Sequence, residues 1–275
     1  MKVKFYGVRG SLPVCGREFE RYGGNTTCIR ILREKANRIA ILDAGTGIRK
    51  LGKELIKEGI TQNIINIVFS HFHWDHIQGF PFFAPAYNPN QRIGILAMGR
   101  EGQVHNIKDI FSKQMQEEYF PIQMDRMGAG FEFFAYGEKE TIYGAHVKSI
   151  PQYHKYSGGS YGFRLEDEGV SLVVCTDLEH VNGIDPRIVQ FAKDADLLIH
   201  DGQYTTKEYE STFKGWGHST WEQTVEVAIL ANVKKLIITH HDPDHNDEFL
   251  DGLEKECQNI FPNSLFAKEG MEVLV

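Results

Sequence analysis

Within six residues, His71-Phe-His73-Trp-Asp75-His76, the chain carries three imidazoles and one carboxylate, directly after the apolar run from Asn63 to Phe69. Neutral imidazole and carboxylate are the ligand types that suit zinc, iron and manganese. Side chains of an extended segment alternate with period two, so His71 and His73 project the same way. A turn at Trp74 then aims Asp75 and His76 at a second, neighbouring point. The pattern fits a chain folded around metal, one ion taking the first pair and a second ion the other. A structural histidine accounts for one of these residues, not for four together, even with 12 histidines in 275 residues.

The surrounding sequence reads as an α/β framework. Strand patterns run from Val3 to Val8, Cys28 to Arg33, Arg38 to Leu42 and over 63–69. A turn at Asp43-Ala-Gly-Thr-Gly47 leads into helical spacing at Ile48, Leu51 and Leu55, with Gly59 as the stop. Further strands are expected at Thr141 to Ile150, Tyr161 to Leu165, Val170 to Cys175, Leu197 to His200, Leu236 to Thr239 and Glu272 to Val275. Helices are expected at Val104 to Met115, Asp185 to Lys193 and Asp247 to Ile260. Another opens with a capping box at Ser219-Thr-Trp-Glu222 and places Trp221, Val225, Ala228 and Ile229 on one face. Strands followed by helices, twice over, give an α/β sandwich. Residues 84–130 differ in texture, broken by Pro85, Pro89 and Pro121 and rich in methionine (Met115, Met124, Met127). They read as an insertion or flap near the site, with an ordinary strand–helix connection as the alternative.

The length suits one domain, and 41% hydrophobic residues suffice for a sizeable core. No apolar stretch reaches the ~18 residues of a membrane helix. The start, Met1-Lys-Val-Lys-Phe-Tyr6, reads as a strand rather than a signal peptide. Cys15, Cys28, Cys175 and Cys257 are widely spaced and read as reduced residues of a cytoplasmic protein. The formal net charge is −7 with scattered Lys and Arg, so no basic face for long nucleic acid is evident. A small anionic substrate stays compatible, because bound divalent ions would dominate the local field.

The fragment H-x-H-x-D-H resembles the signature of the metallo-β-lactamase fold hydrolases. His154, Asp177 and His240 follow strand-like runs, as that family's remaining ligands do. The resemblance implies one domain over 1–275, an αββα sandwich of two central mixed sheets flanked by helices. It implies that His71, His73 and His154 hold one divalent metal, that Asp75, His76 and His240 hold another, and that Asp177 bridges them. Asp75 counts among the catalytic residues as well. Zinc is the expected ion, with manganese or iron as alternatives. His241, beside His240, is a competing ligand, and Asp43 matches a family position that supports the histidines from behind.

Two further segments, Trp216-Gly-His-Ser-Thr220 and Leu198-Ile-His-Asp201, resemble the phosphodiesterase branch that contains the tRNA 3′-processing endonuclease RNase Z. There the histidine of G-H-S-T faces the scissile phosphate and an acidic residue orients it. Mapped here, His218 is the proton donor and Asp201 its orienter, although that branch has Glu where this chain has Asp. The loops Gly7 to Pro13 and Arg21 to Thr26 also resemble members of the branch, while fitting simple turn chemistry. One departure matters most: only 22 residues separate His154 from Asp177, room for a hairpin but not for the tRNA-gripping arm of RNase Z. The resulting expectation is a dinuclear phosphodiesterase in which a metal-bridging hydroxide attacks phosphorus and His218 protonates the leaving oxygen. Its expected partner is a small phosphodiester, best a 3′,5′-cyclic nucleotide, with neither long nucleic acid nor a membrane. The alternatives are a tRNA or RNA 3′-processing nuclease and a thioester or lactone hydrolase on the same fold. The oligomeric state stays open, a homodimer among the options.

Overall fold

A computed structural model describes residues 1–33, 38–60, 64–100, 102–142, 145–155, 157–167 and 169–275. Among them, two seven-stranded mixed sheets lie face to face. In the first, β1 (Lys2–Gly7), β2 (Cys28–Leu32), β3 (Arg38–Leu42), β4 (Ile64–Phe69), β5 (Arg92–Ala97) and β6 (Gly130–Ala135) lie side by side in chain order. In the second, β7 (Lys139–Ile142), β8 (Ala145–Gln152), β9 (Ser160–Asp167), β10 (Val170–Cys175), β11 (Leu197–Asp201), β12 (Leu236–Thr239) and β13 (Ser264–Phe266) do the same. The last strand, β14 (Glu272–Leu274), returns to the first sheet outside β1. Pairing turns from antiparallel to parallel at β3–β4 in one sheet and at β10–β11 in the other. The two sheets therefore repeat one plan.

Period-two alternation sorts each strand between two cores. On β10, Leu172 and Val174 face the space between the sheets, and Val173 and Cys175 face outward. On β4, Ile65, Ile67 and Phe69 join the outer layer while Val68 lies against the inter-sheet core. Helices α1 (Ile48–Lys57) and α3 (Val104–Gln114), with the single turn α2 (Trp74–Ile77), cover the first sheet. Helices α4 (Pro186–Ala192), α6 (Trp221–Leu230) and α7 (Asp247–Ile260) cover the second, and α5 (Thr206–Glu208) is one capped turn. The αββα sandwich expected from the sequence is the observed architecture. Among the described residues no helix is long and apolar enough to cross a membrane.

Four expectations need correction. Residues 84–130 supply β5, inside the parallel half of the first sheet, and α3, and their Ile93, Ile95, Ile107, Phe111, Met115, Met124 and Met127 are core. Pro85 opens a short 3₁₀ turn, Ala84–Tyr87, before β5 rather than loosening the segment. The stretch Thr141 to Ile150 is two antiparallel strands, β7 and β8, with residues 143 and 144 outside the described set. The capping box before α6 is Thr220 with Gln223, one residue later than expected, because Ser219 instead donates Oγ–H to the Leu178 carbonyl at 2.6 Å. Ile229 is exposed, while Trp221, Val225 and Ala228 are buried. Asn63, expected to start the fourth strand, lies outside the described residues.

Phe111 measures how integral residues 84–130 are. Its ring is fully buried and packs on Phe80 at 4.7 Å and Phe69 at 5.1 Å. Phe111→Ala is expected to lower global stability by about 3–5 kcal/mol in chemical denaturation. A detachable flap would show almost no change.

Candidate functional site

Parallel strands that share a direction deliver their C-terminal ends to one rim, where sites of α/β folds collect. Here β3 ends before Asp43, β4 before His71, β10 before Asp177, β11 at Asp201 and β12 before His240. Asp43 (φ 58°), Asp177 (φ 61°) and His240 (φ 63°) all take the left-handed backbone conformation, as does nearby Ser11 (φ 61°). Non-glycine residues rarely adopt it, and such strain gathers at functional sites. The turn at these strand ends swings each side chain inward instead of along the strand.

The inward side chains form two groups. His71, His73 and His154 make one, and Asp75, His76, Asp177 and His240 make the other; within each, donor atoms lie within 4.8 Å of one another. Asp177 stands between them. Its Oδ1 is 3.7 Å from His71 Nε2, 3.8 Å from His154 Nε2 and 3.3 Å from His240 Nε2, and its Oδ2 is 3.2 Å from His76 Nε2. All seven ligands expected from the sequence thus converge. His241 does not: its Nε2–H donates to the Ala267 carbonyl at 2.9 Å, and its ring stacks on Phe266.

Four of the five imidazoles are aimed from behind. His76 Nδ1–H donates to Asp43 Oδ2 at 2.9 Å, and Asp43 also accepts from the Ser70 amide and hydroxyl. His71 Nδ1 contacts Ser70 Oγ at 3.2 Å. His154 Nδ1–H donates to the Gly217 carbonyl at 2.8 Å, and His240 Nδ1–H to Gln203 Oε1 at 3.0 Å. Asp75 Oδ2 accepts from the Ser11 amide at 2.9 Å. These partners fix the tautomer that leaves a lone pair pointing into the site. Asp43 was legible in the sequence. Ser70, Gln203, Ser11 and the Gly217 carbonyl were not, since nothing local marks them.

The electrostatics ask for positive charge. Burial, reinforced by His76, holds the His71 imidazole well below its ordinary range, so it is neutral, the form that binds metal. Burial alone would raise the Asp177 and Asp75 carboxyls, but the facing imidazoles hold both well below the usual carboxylate range. Burial likewise opposes charge on His76 and His240, yet Asp177 and Asp75 raise both above the ordinary histidine value. His71 Nε2 is buried with no hydrogen-bond partner among the described residues. His154 Nε2 faces His73 Nδ1 at 3.0 Å, and His76 Nε2 faces His240 Nε2 at 3.3 Å. Tetrahedral ligation at Zn–N of about 2.0–2.1 Å spaces its donors by roughly 3.3 Å. The donor set fits divalent metal.

Beside the two groups stands His218, its ring 5.0 Å from those of both His154 and His240. Its Nδ1–H donates to Asp201 Oδ2 at 3.2 Å. Asp201 is fully buried; burial would raise its carboxyl, but His200 and His218 hold it well below the usual range. The Asp in place of Glu still reaches. Two glycines make the crowding possible: a Cβ on Gly10 would meet His240 Nδ1 at 2.2 Å, and one on Gly217 would meet His154 Nδ1 at 2.3 Å.

Residues 38–241 match the family model of the β-lactamase superfamily domain. The chain belongs to the metallo-β-lactamase superfamily. Members of its phosphodiesterase branch are similar to it along their whole length. Ribonuclease Z of Picrophilus torridus is 27% identical over 98% of this chain and 94% of its own. Ribonuclease Z of Prochlorococcus marinus strain NATL1A is 26% identical over 99% and 98%. The short form of human tRNase Z superposes with a TM-score of 0.69 at 18% identity, covering 100% of this chain and 99% of its own. The protein is a metal-dependent hydrolase, and its His/Asp cluster is suited to divalent metal ions.

Asp43→Asn separates support from ligation, because asparagine tolerates the same left-handed backbone. It is expected to weaken metal binding by about 10–100-fold in chelator competition while leaving the circular dichroism spectrum unchanged. Unaltered affinity would remove Asp43 from any supporting role.

Proposed function

We propose that the protein is a phosphodiesterase of the ribonuclease Z type that uses two divalent metal ions, zinc by preference, to hydrolyse phosphodiester bonds of RNA. The observation that carries the phosphodiester chemistry is the His218–Asp201 pair set against the metal-binding groups. A departing alkoxide needs a proton, and an imidazole fixed by a buried carboxylate supplies it from Nε2. Ions held by the two groups supply Lewis acidity toward phosphoryl oxygens and lower the pKa of water. Asp177, between the groups, would bridge the ions. Asp201 keeps the His218 ring turned toward them, and the Leu178 amide, which donates to Asp201 Oδ2 at 3.3 Å, holds that carboxylate in place.

RNA is favoured as substrate by the relatives, whose names specify ribonuclease activity. The 3′,5′-cyclic nucleotide expected from the sequence has no such support. A second reading, a small phosphodiester, keeps one specific observation. Between His154 and Asp177 this chain has only 22 residues, mostly the antiparallel strands β9 and β10, which leaves no length for an arm. The alignment with the Picrophilus enzyme spans 311 positions against 275 residues here, so that relative carries stretches this chain lacks. With a net charge of −7, affinity from phosphate contacts is small.

A panel of a precursor tRNA, a short single-stranded RNA, 3′,5′-cyclic AMP and bis-p-nitrophenyl phosphate separates the readings. Cleavage of RNA ahead of cyclic AMP is expected; turnover of cyclic AMP alone would transfer the assignment to the small substrate. His218→Ala is expected to retain metal and lose about 10²–10⁴-fold in kcat on RNA, but much less on bis-p-nitrophenyl phosphate. Equal losses on both would exclude the proton-donor role.

A further inference from the structure

Trp216 combines a fixed backbone with an exposed side chain. The buried Glu179 carboxylate accepts from the chain on either side of it: Oε1 from the Gly215 amide at 2.6 Å, Oε2 from the Gly217 amide at 3.0 Å. Oε1 also accepts from the Tyr209 hydroxyl at 2.8 Å. Gly215 (φ 88°) and Gly217 (φ 94°) both adopt backbone that other residues resist, so the turn is shaped to put both amides on one carboxylate. The indole between them is 62% exposed.

That indole is not isolated. It packs edge-on against Phe213, with ring centroids 5.3 Å apart. Phe213 stacks on the buried Tyr204 at 4.4 Å, and Tyr204 meets the His218 ring at 6.0 Å. A row of rings therefore joins the exposed indole to the proposed proton donor. The same turn carries the Gly217 carbonyl that orients His154. Glu179 thus sets, through one loop, a metal-binding histidine, the position of His218 and the display of Trp216.

A large apolar ring left in water on a rigid support beside a reaction centre has the properties of a stacking platform. Every nucleobase offers a π face, so such a platform accepts bases without sequence preference. Because the turn is held in advance, little conformational freedom is lost on binding. It also answers a need of this chain, whose acidic balance and missing arm leave little affinity from phosphate contacts. We propose that Trp216 stacks the nucleobase next to the scissile phosphate, so that the site takes nucleotidyl phosphodiesters and gains its affinity from the base; this rests on the phosphodiesterase reading above.

The test is calorimetric titration of the metal-loaded protein with AMP and with ribose 5-phosphate, which differ only by the base. The wild type is expected to bind AMP more tightly. Trp216→Ala is expected to cut that preference by about tenfold to a hundredfold, and Trp216→Phe to retain most of it. Tyr119→Ala, which removes an exposed aromatic following α3, is expected to retain all of it. Equal binding of the two ligands by the wild type overturns the proposal. So does a preference that survives Trp216→Ala, or a loss in Trp216→Ala that is equal for both ligands. Failure of the phosphodiesterase reading shows separately, as absence of hydrolysis across the substrate panel with the base preference intact.

Discussion

Three carboxylates buried together, Asp43, Asp75 and Asp177, are the constraint around which this structure is arranged. Taking a carboxylate out of water costs several kcal/mol unless its charge is answered. Facing them are the fully buried His76 and His240, whose imidazoles the carboxylates raise above the ordinary histidine value, and a divalent ion would answer the charge more completely. The rest of the fold follows from the need to hold like charges close. Parallel strands bring their ends to one rim, and left-handed residues at those ends turn the side chains inward. Glycines at 10 and 217 leave room for the His240 and His154 rings. Buried Arg9 ties the β1–β2 loop to the loop between β12 and α7 by donating to the Gly23, Asp242 and His245 carbonyls.

The catalytic arrangement is layered in the same way. The side chains proposed to hold metal follow strands of both sheets, so the site forms only where the sheets face each other. His218 comes from the loop before α6, and its orienter Asp201 from the end of β11. The proposed proton donor and the proposed metal ligands are therefore held by different elements. The 22 residues between His154 and Asp177 form β9, β10 and their short connections, which leaves no length for an arm.

Much of this was legible in the sequence, because ligation needs rare residue types in close order. The cluster from His71 to His76, with His154, Asp177 and His240 after strand-like runs, named the seven converging side chains. The resemblance favoured His240 over adjacent His241, and it is the His240 ring, on a left-handed residue, that enters the site. Ser219 and Thr220 are both good caps, and a long-range bond to the Leu178 carbonyl removes the first from contention. Residues 84–130 misled because prolines and methionines suggest looseness, whereas burial against β4 makes them core. Gln203, Ser70 and Glu179 were invisible, since their roles exist only through partners far along the chain.

The most direct measurement of the central claim is metal stoichiometry. Protein stripped with chelator and titrated with zinc, then checked by elemental analysis, is expected to bind close to two ions per chain, and Asp177→Ala to lose at least one of them. Saturation at a single ion with full hydrolytic activity, or two ions retained without Asp177, would contradict the account of Asp177 as the carboxylate joining two metal sites.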